Sequence, residues 1–175
     1  GMGMPINRSK AFKWYTKAAA KESAIGYLWL GVFYSHGAGL EEGKEPPFTF
    51  GDPNYKEHIL FDRWGGIELD FAKAAEYYTM AADKENAVAQ SQLGYLYSHG
   101  ETFLADPTRN NESFSGFEKN PNKAIEWYTL AARQGNLIAQ CRLGYFYLKT
   151  TAVPQDTSKA FEWFLKAAKQ NFWLG

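Results

Sequence analysis

The chain has 175 residues, 45% of them hydrophobic and 22% charged, a globular composition in which disorder is not the default. Lys+Arg and Asp+Glu both number 19, so the basic excess of a general nucleic-acid binder is missing. No apolar run approaches the roughly 18 residues of a membrane span, and one cysteine, Cys141, leaves no internal disulfide to form.

In chain order, Asn7 offers an N-cap for a leading helix over 7–20, which carries Lys10-Ala11-Phe12-Lys13-Trp14-Tyr15 and then Ala18-Ala19. A second helix type follows from Ala24 to Tyr34, with Leu30-Gly31 in its middle. The first pattern then returns three times. It reads Lys73-Ala74-Ala75-Glu76-Tyr77-Tyr78, Lys123-Ala124-Ile125-Glu126-Trp127-Tyr128 and Lys159-Ala160-Phe161-Glu162-Trp163-Phe164, each followed by an alanine pair. Ala74, Tyr77, Tyr78, Ala81 and Ala82 share one helical face, on which small side chains admit a neighbouring helix and rings fill the space beside it. Asp70, Asn120 and Asp156 stand at the same capping position as Asn7. Pro121 suits the first helical position and Gly135 a helix stop.

The second helix type returns as Ala87 to Tyr97 and Leu137 to Tyr147, with Leu93-Gly94 and Leu143-Gly144. A glycine inside a helix costs about 1 kcal/mol against alanine, so its recurrence at one position implies close helix–helix contact there. On this packing logic Trp14, Trp127 and Trp163 are core residues. Cys141, equivalent to Leu28 and Ser91, is expected to be half-buried and inert.

The first helix type starts at residues 10, 73, 123 and 159, giving steps of 63, 50 and 36. The shortest step reads as the bare helix pair, so the longer ones carry insertions. The expected organisation is a single domain over 1–175: leading helix 7–20, repeat 24–83 with insertion 38–70, repeat 87–134 with insertion 101–121, and repeat 137–170. The first insertion is rich in aromatic residues, with Phe48, Phe50, His58 and Trp64 placed to form the lip of a groove, or to cover its own hydrophobics. The second is polar and turn-rich, Phe114 and Phe117 excepted. Phe172-Trp173-Leu174 forms an apolar tail, expected to fold back as a cap, with weak end-to-end self-association as the alternative.

Chemistry has few footholds. His36 and His99 share a repeat position that holds Lys149 in the third copy, and His58 has no partner at metal-ligand spacing. No phosphate-binding loop, catalytic thiol or carboxylate pair stands out. The expectation is no catalytic residue, no metal and no cofactor.

The recurring residues resemble the Sel1-like repeat (SLR) family, relatives of the tetratricopeptide repeat. Leu143-Gly144, Tyr147, Asp156, Lys159-Ala160, Trp163 and Lys166-Ala167-Ala168 carry the likeness, as do Leu93-Gly94, Tyr97, Gly100, Asp70 and Lys73-Ala74. The loops after the tyrosines depart from the family pattern: Gly37-Ala38-Gly39-Leu40 starts it and then expands, and Lys149-Thr150-Thr151 lacks its glycine. The resemblance implies an all-α fold, a right-handed α-α superhelix of three helix-pair repeats plus the leading helix. Its concave face would be lined mainly by the Leu-Gly helices, and its role would be that of an adaptor or scaffold for another protein or peptide. Some bacterial members contact host proteins.

Positions free of packing diverge between copies, which places Trp29, Val32, Gln92, Tyr95, His99, Arg142 and Tyr145 on that face. The alternative is a hydrolase-like or small-molecule-binding protein with its site under the 38–70 insertion, His58 acting with a nearby carboxylate; a link of some family members to β-lactam binding suggests it. Cytoplasmic residence is favoured, because Met4-Pro5-Ile6-Asn7 runs directly into Arg8 and builds no signal-peptide core. A leader removed earlier would leave the secreted and periplasmic alternatives open.

Overall fold

The computed structural model describes residues 8–36, 67, 70–100, 117–149 and 154–172. They form seven helices: α1 (Arg8–Ala19), α2 (Ala24–His36), α3 (Phe71–Ala82), α4 (Ala87–His99), α5 (Pro121–Arg133), α6 (Leu137–Lys149) and α7 (Thr157–Phe172). Each packs against its neighbours in sequence, and the most extensive contact between non-sequential helices joins α4 to α6. The result is a two-layer stack, with α2, α4 and α6 in one layer and α1, α3, α5 and α7 in the other.

One turn design joins the layers three times. Glu22, Glu85 and Gly135 adopt left-handed backbone, with φ of 56°, 60° and 87°. The N–H groups of Glu85 and Asn86 donate to the carbonyls of Ala82 and Ala81, and Gly135 and Asn136 repeat this with Ala132 and Ala131. This Schellman closure satisfies the orphan carbonyls of the ending helix. The residue that completes it also caps the next helix: the Ala89 and Ala139 amides donate to Asn86 and Asn136 Oδ1, both at 2.9 Å, and the Gly26 amide donates to Ser23 Oγ at 3.4 Å.

The return crossings differ in length but end alike. The amides of Asp70, Asn120 and Asp156 donate to the carbonyls of Tyr34, Tyr97 and Tyr147 at 2.9, 2.8 and 2.9 Å. The same three side chains accept from the amides of Lys73, Lys123 and Lys159 as N-caps. Those lysines then lay their ammonium groups over the Tyr34, Tyr97 and Tyr147 rings at 4.9, 5.2 and 5.5 Å. A cap, a latch and a cation–π contact thus hold every crossing, so an insertion lengthens the chain without shifting the stack. Two apolar residues secure the returns further: Ile67 is buried, and Phe117 packs on Tyr97 at 4.7 Å.

The mid-helix glycines do what their recurrence implies. A Cβ on Gly31 would lie 2.5 Å from the Tyr78 ring, one on Gly94 2.6 Å from Tyr128, and one on Gly144 2.7 Å from Phe164. Each glycine is the seat for the ring of the following helix. The hydroxyls are matched as well. Tyr78 OH lies 2.8 Å from Ser35 Oγ and Tyr128 OH 3.5 Å from Ser98 Oγ. Where the serine becomes Leu148, the tyrosine becomes Phe164, so no buried hydroxyl is stranded. A glutamine ladder crosses the layers: buried Gln90 and Gln140 donate to the Ala82 and Ala132 carbonyls and accept from Gln134 and Gln170 at 2.8 Å.

Three expectations are corrected. Trp127 and Trp163 pack against the core clusters of the preceding repeats, but Trp14 is 67% exposed. Among the described residues no helix stands in front of α1, so nothing covers the ring on that side; Lys17 Nζ lies 4.9 Å from it. Cys141 is exposed rather than half-buried. Its equivalent Leu28 packs against the core built on α3 and α4, and no described helix follows α7 to cover Cys141 in the same way. The last helix also runs beyond Gln170, so Phe172 is its final residue rather than part of a separate tail; Trp173 and Leu174 lie outside the described residues.

Candidate functional site

Each helix of the α2, α4, α6 layer has one side against the other layer and one turned away from it. Leucine and glycine recur on the packed side: Leu30, Leu93 and Leu143 are buried, as are the three glycines beside them. The outward side carries large side chains that remain in solvent. Trp29, Tyr95 and Tyr145 are exposed by 42%, 38% and 51%, with Ile25 exposed one turn, and Val88 and Ile138 two turns, nearer the helix start. Exposed rings and branched aliphatics repeated over three helices form a row rather than scattered residues.

The structure brings several of the sequence-selected residues together. The Arg142 guanidinium lies over the Tyr95 ring at 5.9 Å, and the Tyr95 ring meets that of His99 at 4.2 Å. His99 Nδ1 is 2.7 Å from Ser98 Oγ, which fixes the imidazole at the end of α4. Trp29 stacks on Tyr15 of α1 at 5.4 Å with the planes 13° apart, a contact that spacing within α2 alone does not reveal. Tyr145 stands exposed and Gln92 half-buried, whereas Val32 is half-buried and packs against the core under α3 and α4. Phe48, Phe50, His58 and Trp64 lie outside the described residues.

The raised pKa values of the buried tyrosines follow from the packing. Burial pushes the Tyr78 phenol up to about 12, with its hydrogen bond to Ser35 acting the other way. Burial also raises Tyr128, against the Ser98 hydrogen bond and the nearby positive charge of Arg142. Among the described residues no group of three or more His, Cys, Asp or Glu is placed to hold a metal ion, and no helix is long and apolar enough to cross a membrane.

Comparison with known proteins agrees with this architecture. The Sel1 repeat profile matches residues 1–23, 24–44, 59–86, 87–136 and 137–172. The class is thus an α-solenoid of tandem helix pairs. The chain belongs to the Sel1 repeat family. Among solved structures it is similar to a protective antigen present in uropathogenic Escherichia coli strains displaying an SLR fold, with 24% identity and a TM-score of 0.62. The match covers 94% of this chain and 27% of that one. It is likewise similar to a Sel1 repeat protein from Oxalobacter formigenes, with 23% identity, a TM-score of 0.62, and coverage of 97% and 53%. The chain therefore spans about a quarter and about half of those two proteins. No curated protein matches by sequence.

Proposed function

We propose that the chain is a non-enzymatic scaffold that binds another protein or a peptide along the outward side of α2, α4 and α6. Sel1 repeats generally serve as protein-interaction scaffolds, and one observation carries the reading to this face. Positions that touch the other layer repeat their residue types, whereas the position held by Trp29, Gln92 and Arg142 differs from copy to copy, and the apolar side chains of Ile25, Trp29, Val88, Tyr95, Ile138 and Tyr145 stay exposed. Selection for packing alone gives no reason to keep Trp29, Tyr95 and Tyr145 in water. Tyrosine, tryptophan and arginine are the side chains that most often carry interface energy.

The test is partner capture by the wild-type chain and by a Trp29→Ala/Tyr95→Ala double variant whose helicity and melting are shown by circular dichroism. Loss of capture by a folded double variant is expected. Undiminished capture would remove this face from consideration.

A further inference from the structure

The face has a charge character as well as a shape. Helices α2, α4 and α6 have 13 residues each, and none of those residues is Asp or Glu. At the chain's own frequency of 19 acidic residues in 175, three such helices would hold about four. Burial does not account for the gap, because it extends to the solvent-facing positions: Ile25, Val88 and Ile138 near the helix starts, and His99 and Lys149 at the ends. The described carboxylates stand elsewhere. Glu76, Glu126 and Glu162 lie on the opposite layer, Glu22, Asp83 and Glu85 in the turns, Glu118 in the crossing that leads into α5, and Asp70 and Asp156 at caps. Lys and Arg are also fewer than the roughly four that the same frequency gives, but two remain: Arg142 and Lys149 stay on the aromatic face at α6, and no described carboxylate pairs with either. Among the described residues this face carries positive charge and no anion, and such a surface is complementary to an anionic partner.

Resting on the scaffold reading above, we infer that this face takes an acidic segment of another protein, one in which Asp or Glu alternates with bulky apolar side chains. The apolar part follows from the Ile25, Val88, Ile138 row and the exposed rings, which a purely ionic ligand would leave wet. The carboxylates follow from Arg142, whose guanidinium is already braced on Tyr95, so that its ordering costs less when it binds. Packed helices lie about 10 Å apart and an extended chain advances about 3.3 Å per residue, so anchors near every third residue would meet successive helices of the layer. Single-stranded nucleic acid is also anionic and stacks on rings. However, its affinity comes from many phosphate contacts, and this layer offers two full cations.

The experiment pans a random 12-residue peptide display library against the full chain, the Trp29→Ala/Tyr95→Ala variant and the Arg142→Glu variant. Circular dichroism checks that all three are folded, and Lys149→Glu serves as a second charge reversal. Selected peptides are expected to be several-fold enriched in Asp and Glu. Their synthetic copies should lose about tenfold in affinity on Arg142→Glu and weaken between 50 and 500 mM salt. Peptides without acidic enrichment that need Trp29 and Tyr95 but ignore Arg142→Glu would overturn the charge inference and leave the scaffold reading standing. Peptides that bind the double variant as well as the wild type, or a selection that enriches nothing beyond what that variant enriches, would overturn both. An oligothymidylate bound more tightly than any selected peptide, and lost on Arg142→Glu, would replace the acidic peptide with nucleic acid.

Discussion

The middle and last repeats use the same residues with different results. In α3 the helix buries Phe71, Ala74, Ala75, Tyr78, Ala81 and Ala82, whereas α7 buries Ala160 and Ala167. Tyr78 and Tyr128 are 1% and 0% exposed, but Phe164, at the same position, is 37% exposed. The pattern is common to both helices, and only α3 has described helices on both sides. Burial in a stacked fold is thus supplied by the neighbour as much as by the residue.

The sharpest way to break that comparison is the mid-helix glycine. Gly94→Ala drives a Cβ into the Tyr128 ring, which is held on all sides, and should destabilise the protein by about 3 kcal/mol despite alanine's better helix propensity. Gly144→Ala meets the half-free Phe164 ring and should cost about 1 kcal/mol or less. Urea unfolding of both variants checks the contrast, and equal shifts would contradict it.

The second contrast is alkaline stability. Tyr78 titrates near 10 in the unfolded chain and near 12 when folded, because burial opposes its anion. Its contribution is therefore complete below pH 10 and is lost as pH rises from 10 to 12, amounting to about 2–3 kcal/mol. Tyr78→Phe should flatten the stability profile in that window. In the last repeat Phe164 has no proton to lose.

The serine–tyrosine pair offers a smaller effect. Ser35→Ala leaves a buried phenol without its partner and should cost about 1–2 kcal/mol. Tyr78→Phe at neutral pH should cost less, because Ser35 keeps contacts with the Val32 carbonyl and His36 Nδ1. The Leu148 and Phe164 combination shows that replacing both partners together is tolerated. A thermal melt of Ser35→Ala, Tyr78→Phe and Ser35→Leu/Tyr78→Phe should rank them accordingly.

The turns give the smallest shifts, with opposite signs. Gly135→Ala should destabilise by about 1 kcal/mol through backbone conformation alone, since no atom lies within 4 Å of the new Cβ. Glu85→Gly, at the equivalent left-handed position, should gain up to about 1 kcal/mol. Melting temperatures that move the same way for both variants would contradict the shared turn geometry.

The sequence by itself determined the helices, their caps at Asp70, Asn120 and Asp156, the stop at Gly135 and the contact at each Leu-Gly pair. These depend on residues a few positions apart or on a motif met repeatedly in one chain. The tertiary structure alone decided which copies of the motif are covered. Trp14 and Trp127 share a motif position, but Trp127 rests on the preceding repeat, while among the described residues nothing precedes Trp14. It also decided that Arg142 lies over Tyr95 and that Gln134 reaches Gln90. Such pairings join residues more than 40 positions apart, and helical periodicity carries no information about which helix comes to lie beside which.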